Sequence, residues 1–343
     1  QGEVDAYRLS YLGLGYGARS LGLGTAYSGI ANDFSAVYWN PAGLGQIKQN
    51  EFSLGLSHMS FDNTSTLFGT KEAFSNSGTK LNTFGLVYPF PVTQGSLVFA
   101  IGYGRENDYT GALGFRGFNF QDSASIYPDT IFRFPDNTEI QGKILRSGGI
   151  NNWVVAGAVE AAKNLFIGLS INFISGSYSY NRNYVETDIE NFYTEDQFVQ
   201  KYTIEEDIGG FTGRLGMLYE FNNQNGRVGI NIKFPTYYTV RHNYVNDGII
   251  YYDKPDSNYL YPLLNGVPEY DLTTPFVFNA GISYAFGDLM LAGDIDFTDW
   301  TQMEFSNSTD PSLLDDNTTI KEDFKSTVNF RFGAEYAVPR TDL

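Results

Sequence analysis

The 343-residue sequence contains no cysteine and only two histidines, His58 and His242. Without Cys there is no disulfide scaffold, zinc ribbon or thiol nucleophile, and two histidines leave little material for a histidine-based metal site. Positive charge is scarce as well: 22 Lys and Arg stand against 39 Asp and Glu, a net charge of −17. Affinity for a phosphate backbone comes mainly from Lys and Arg, and no basic stripe occurs, so a nucleic-acid partner is excluded. No apolar run approaches the roughly 18 residues of a membrane-crossing helix. The longest, Trp153 to Val159, ends at Glu160. The chain opens on Gln1 with no signal peptide, as expected if a leader has been cleaved from it.

Glycine and aromatics, by contrast, are plentiful, with 37 Gly, 25 Tyr and 28 Phe. From about residue 50 onward, segments alternate with the period of two that marks strands with one face in an apolar medium. Ten can be drawn, beginning with Phe52/Leu54/Leu56 and Phe84/Leu86/Tyr88/Phe90 and ending with Val328/Phe330/Phe332/Tyr336. The opposite face carries Gly85, Gly102, Gly168, Gly216, Gly229, Gly281 and Gly333, with Arg214, Asn231, Lys233, Asp294, Asp296, Arg331 and Glu335. Mid-strand glycine weakens a strand, so its repetition implies room left beside the backbone. Bulky apolar residues outward and small or polar residues inward predict an all-β chain, a transmembrane antiparallel β-barrel in which closure satisfies every backbone group.

Connections come in two sizes. Short ones such as Ala162-Lys163-Asn164 and Gly287-Asp288 alternate with long acidic stretches near 62–80, 106–147, 181–201, 246–273 and 299–323, which are expected to be extracellular loops. The first 48 residues do not alternate; they are too apolar for a free tail and too rich in glycine for an ordinary helix, and should pack inside something. The expected division is therefore residues 1–48 as an internal plug and 49–343 as the barrel.

Several motifs point elsewhere and fail on context. Gly13-x-Gly15-x-x-Ala18 matches a dinucleotide fingerprint, yet no βαβ pattern follows it. Asp294 and Asp296 share a strand face as a glycosidase pair would, but charges on neighbouring lumen strands, here Arg331 and Glu335, commonly pair with one another. No nucleophile elbow exists, and Asp310-Pro-Ser-Leu-Leu-Asp-Asp-Asn lacks the glycine and closing glutamate of a calcium hand. Neither an enzyme, a cofactor nor a metal site is indicated.

The run from Gly17 to Leu44, with Asp33-Phe-Ser-Ala followed by Asn40-Pro41-Ala42-Gly43-Leu44, resembles the amino-terminal region of the FadL/TodX family of outer-membrane transporters. Asp5-Ala-Tyr-Arg8 and Phe61-Asp-Asn-Thr-Ser-Thr66 resemble members from Bacteroidota-type bacteria. The resemblance implies a Gram-negative outer-membrane barrel of about fourteen strands, plugged by an amino-terminal hatch. It further implies passive uptake of long-chain fatty acids or similar hydrophobic molecules, which enter from the loops, pass apolar pockets at the hatch and leave sideways into the bilayer at a kinked strand.

Asn40, Pro41, Ala42 and Gly43 are the hatch positions on this reading: Pro fixes its own φ and extends Asn40, while the small residues allow close approach to the wall. Gly102 and Gly104 are the candidates for the kink, and lumen-facing Arg214, Lys233 or Arg331 could meet a ligand carboxylate. Only ten strands are visible against about fourteen, and Pro339-Arg-Thr-Asp-Leu343 reads as a turn, so the native polypeptide is expected to continue. The partners expected are a hydrophobic ligand and outer-membrane lipid. The alternative is a PorV-like barrel of the same fold, an interaction protein of a secretion complex, whose protein partner would dock on the long Tyr-rich loops.

Overall fold

The computed structural model describes residues 2–11, 13, 15–120, 134, 136–222, 225–254, 258–260 and 262–338. Its helices are α1 (Glu3–Ser10), α2 (Ala18–Gly22), α3 (Ala36–Trp39) and α4 (Ser312–Asp323). The first eight strands are β1 (Glu51–Leu67), β2 (Thr70–Phe90), β3 (Leu97–Asp108), β4 (Gly111–Asn119), β5 (Thr138–Ala162), β6 (Leu165–Thr187), β7 (Glu195–Glu220) and β8 (Gly226–Lys233). The remainder are β9 (Tyr237–Tyr252), β10 (Tyr259–Leu260), β11 (Leu264–Gly266), β12 (Glu269–Thr273), β13 (Val277–Phe286), β14 (Leu289–Asp299), β15 (Glu304–Ser306) and β16 (Ser326–Tyr336).

These sixteen strands form one antiparallel sheet, whose continuous path runs β1-β2-β3-β5-β6-β7-β8-β13-β14-β16. The ten strands on that path are the ten segments that alternate in the sequence, and they make the barrel wall. β1 and β16 are its outermost strands, and the segment Pro339–Leu343, expected as a turn, lies outside the described residues. The short connections hold: Asn164 (φ 64°) and Gly287 (φ 63°) take the left-handed conformation that tight hairpins need. The wall's outer face is apolar, with Phe52, Trp153, Phe173, Phe211 and Phe330 each more than half exposed. Such a surface is stable in lipid and not in water.

The stretches expected as loops are mostly strand. β1 and β2 stay paired up to Leu67↔Thr70, and β5, β6 and β7 run on in register to Glu139↔Thr187 and Thr187↔Gln197. These strands reach 17 to 26 residues, against the roughly 10 that cross a bilayer. In the extensions Ser, Asn and Thr replace the outward aliphatic residues, as in Ser177, Ser179, Asn181 and Asn183 of β6. The hydrogen-bond ladder therefore continues while the apolar alternation that betrays it stops. Residues 299–323 are another exception, because Asp310 accepts from the backbone N–H and the hydroxyl of Ser312 and starts α4.

One interruption of the ladder has a plain cause. The register places Pro235, between β8 and β9, opposite Pro275, between β12 and β13, and neither can donate to the ladder. Thr274 compensates: its hydroxyl accepts from Thr236 N at 2.8 Å, and its N–H donates to Thr236 O at 3.0 Å.

The outward assignment is testable at Leu169, on the apolar face of β6. Leu169→Arg is expected to lower stability by about 2–4 kcal/mol in urea unfolding from lipid vesicles. An unchanged unfolding midpoint would contradict the lipid-facing placement.

Candidate functional site

Residues 16–47 fill the inside of the curved sheet. Tyr16, Tyr27, Ile30, Phe34, Trp39 and Leu44 form one buried cluster with inward-facing Val87, Val98, Ala100, Val154 and Ala156 of the wall. The fit depends on the lumen glycines. A Cβ at Gly168 would stand 2.3 Å from the Pro41 carbonyl carbon, one at Gly216 2.0 Å from Asn40 Oδ1, and one at Gly229 2.2 Å from Ser28 O. Gly333 meets Leu23 O in the same way, and Gly85 and Gly102 receive the Phe34 ring.

Asn40, fully buried, is the joint of this segment. Its Nδ2 donates to Ser28 O at 3.0 Å and to Met217 O of β7 at 3.2 Å, and its Oδ1 accepts from Ala42 N at 3.2 Å. The side chain thus caps the 3₁₀ turn Pro41–Gln46 and ties it to the wall. Gly43 must be glycine, since a Cβ there would lie 1.9 Å from Ala31 O. Ala42 packs with Phe166 and Leu218. The two aspartates that invited a catalytic reading are structural. Asp294 accepts the backbone N–H groups of Tyr27 and Ser28 at 3.2 and 2.9 Å, while Asp296 pairs with Arg331 and accepts from Asn279 at 2.6 Å.

Above this layer a polar belt follows the inner wall. Asn152 of β5 donates to Glu106 of β3 (2.8 Å) and Asn172 of β6 (3.0 Å); Arg214 of β7 donates to Asn231 of β8 (2.8 Å), and Asn231 to Asn279 of β13 (2.9 Å). Of the three cations expected at a carboxylate, Arg331 is committed to Asp296. Arg214 and Lys233 face each other in register and have neutral hydrogen-bond partners, Asn231 for Arg214 and the Thr236 hydroxyl for Lys233. The space beside Arg214 and Arg331 is only about 20 Å³, closed by Tyr38 and Trp39, which is room for about one water.

The larger cavity is elsewhere and was not foreseen. It has about 480 Å³ and is lined by Arg8 of α1, Phe61 and Asn63 of β1, Asp108 to Leu113, Ile144 and Arg146 of β5, and Tyr178 of β6. Arg8 donates to Glu206 Oε2 at 2.6 Å and stacks over the Tyr178 ring at 4.0 Å, so α1 is held at this cavity's edge. Burial alone would raise the Glu206 carboxyl, but the hydrogen bond from His242 and the charge of Arg8 outweigh it and hold the group below the usual carboxylate range.

The cavity lies where the wall comes apart. The β2–β3 ladder runs from Phe90↔Leu97 to Thr83↔Gly104 and stops. A bulge between Arg105 and Asn107 follows at once in β3, which stays with β5 and is continued there by β4. A bulge bends and twists its strand. The upper part of the β1–β2 hairpin overlaps β4 instead of pairing with it: Phe74 packs on Gly114, and Ser65 Oγ donates to Gly114 O at 2.5 Å. Gly102 and Gly104 thus sit at the end of the ladder, and Gly104 admits the Tyr16 ring.

No sequence-family model matches the chain, and no curated protein matches it in sequence. Among solved structures it is similar to the toluene transporter TodX of P. putida, with TM-score 0.55 and 16% identity over 95% of this chain and 76% of that one. It is similar as well to the toluene transporter TbuX of Ralstonia pickettii, with TM-score 0.52 and 16% identity over 94% of this chain and 82% of that one. The shared feature is the fold, the transmembrane β-barrel that the FadL/TodX resemblance implies.

The glycine fit predicts a graded response. Asn40→Ala removes the groups that pair Ser28 O, Met217 O and Ala42 N and is expected to cost about 1–3 kcal/mol. Gly216→Val is expected to expel the joint altogether, read as faster protease cleavage near residue 40 with the far-UV spectrum of the wall unchanged. Equal cleavage rates in the variants and the parent would refute the close fit.

Proposed function

We propose that the chain is a passive outer-membrane transporter of hydrophobic small molecules, long-chain fatty acids or compounds of similar shape. The observation that carries this reading is the coincidence of a small-molecule-sized cavity with the point where the β2–β3 ladder ends. The cavity combines Phe61, Leu113, Ile144 and the face of Tyr178 with the cation Arg146, Arg8 being paired with Glu206 and Asp5, a lining suited to an apolar body with an acidic head. Burial contributes about 0.8 kcal/mol per CH₂, so an acyl chain gains steadily by entering.

On the β3 side the way inward is closed by Gly13, against Asn107, and by the Tyr16 ring, against Gly104. A molecule in the cavity therefore has a shorter route sideways, between β2 and β3, than downward. The last ladder pairs before the break include Phe84↔Tyr103, both facing outward, so this route opens at the rim of the apolar belt. Arg214 and Lys233 form a second, deeper anion site, reached if Tyr38 and Trp39 shift. The fold shared with two toluene transporters supports hydrophobic cargo in general; the acidic head is inferred from the cations of this chain.

The test is uptake of labelled palmitate, hexadecanol and toluene by proteoliposomes with and without the protein. Palmitate is expected to enter fastest, and no acceleration of any of the three would overturn the reading. The double change Arg214→Met with Lys233→Met is expected to slow palmitate about tenfold while leaving hexadecanol unaffected, the effect of one lost charge-assisted contact. An equal loss for both would mean that the pair holds the fold rather than the head group.

A further inference from the structure

Among the described residues no β2–β3 ladder pair lies above Thr83 and Gly104, and beside the cavity the two sides of the wall are joined by one side-chain cluster. Lys80 of β2 donates through Nζ to both carboxylate oxygens of Asp108 in β3, at 2.9 and 2.8 Å, and to the Thr110 hydroxyl at 2.5 Å. Thr110 N in turn donates to Asp108 Oδ1 at 2.9 Å, and Arg105 Nε lies 3.3 Å from Oδ2. The pair is sheltered, with the Lys80 and Asp108 side chains 27% and 13% exposed. Burial by itself would raise the Asp108 carboxyl, but Lys80 and Thr110 bring it below its ordinary value, so it stays ionised throughout pH 5 to 8.

The position matters more than the strength. Asp108 and Thr110 line the cavity, and Lys80 reaches them from the far side of the break, three residues beyond the last ladder pair. The other described contacts join the hairpin to β4 and its neighbours farther from the cavity: Ser65 on Gly114 O, Phe74 on Gly114 beneath the Lys143 ammonium at 4.5 Å, Leu67 on Gly117, and Leu67 and Phe68 with Phe115 in one apolar cluster. Among the described residues no ladder hydrogen bond between β2 and β3 or β4 would have to break for the edges to part here.

We propose that Lys80 and Asp108 form a clasp across the seam between the β1–β2 hairpin and β3–β4, and that its release sets the rate at which hydrophobic molecules pass between the cavity and the bilayer. This rests on the transport reading above and assigns its gate to two named side chains. Removing Lys80 leaves Asp108 with Arg105 and Thr110, so the carboxylate is not orphaned and the variant can fold.

The experiment uses the cysteine-free parent in proteoliposomes. Lys80→Met is expected to speed exit of a fluorescent fatty acid about threefold to tenfold, the range for loss of one sheltered ion pair. The pair Lys80→Cys with Asp108→Cys, bridged by a short bifunctional thiosulfonate, is expected to slow exit by a similar factor, and reductant to restore it. A second measurement needs no transport: Asn63→Cys, on the cavity wall, is labelled with a lipid-soluble maleimide. Its labelling is expected to quicken about threefold or more when Lys80→Met is added. Unchanged labelling together with an ineffective bridge overturns the clasp. Faster labelling in a protein whose parent moves no ligand leaves the clasp standing and overturns the transport reading.

Discussion

The structure depends on backbone meeting backbone. Besides the wall side chains that the amino-terminal segment packs on, its own backbone and its Asn40 amide lie against wall positions that have no side chain at all. Five strands present glycine to it at Gly168, Gly216, Gly229, Gly281 and Gly333, and the rings of Phe34 and Tyr16 use Gly85, Gly102 and Gly104. Each such glycine weakens its strand in isolation. The loss is offset because the segment's polar groups find partners on the wall, as Tyr27 and Ser28 do on Asp294 and Gly29 O does on the Ser283 hydroxyl. Segment and wall are therefore one packing unit.

A second constraint acts on the outside. In hydrocarbon an unpaired N–H or C=O costs several kcal/mol, so within the apolar belt the ladder has to be continuous. Between β2 and β3 it is continuous through Phe84↔Tyr103, the highest aromatic pair facing lipid, and it ends one pair later. The wall parts as soon as water can satisfy the backbone. The same logic accounts for Thr274, which supplies to Thr236 the acceptor that the opposed Pro235 and Pro275 take out of the surrounding ladder.

How much of this was legible follows from where each signal is written. The ten wall strands were readable because lipid on one face and a crowded lumen on the other impose alternation, and Gly216 or Gly229 amid Leu215, Met217, Val228 and Ile230 makes the inward face unmistakable. The strand extensions were not, since Tyr178, Ser179, Tyr180 and Asn181 meet no lipid and carry no apolar period. Asn40 to Gly43 could be picked out by motif, but their partners Ser28 and Met217 lie 12 and 177 residues away, a relation that no local pattern contains. Arg214, Lys233 and Arg331 were found on one face, as expected; that Arg331 is already neutralised follows from the strand order, which places β14 beside β16. The large cavity was missed because Arg8, Asn63, Asp108, Arg146 and Tyr178 come from five separate elements and share no motif.

The length of the strands has a kinetic side. β7, at 26 residues, rises roughly 65 Å along the axis of a barrel with ordinary tilt, more than twice the apolar band. Among the described residues, what stands above the membrane is largely hydrogen-bonded sheet, with α4 beside β15. For the transport proposed above, a molecule arriving from solution would meet strands already ordered by their ladders, and binding to them costs little ordering entropy. On that reading the described strand extensions act on arrival by their spacing and charge, and selection by chemistry falls to the layers beneath them.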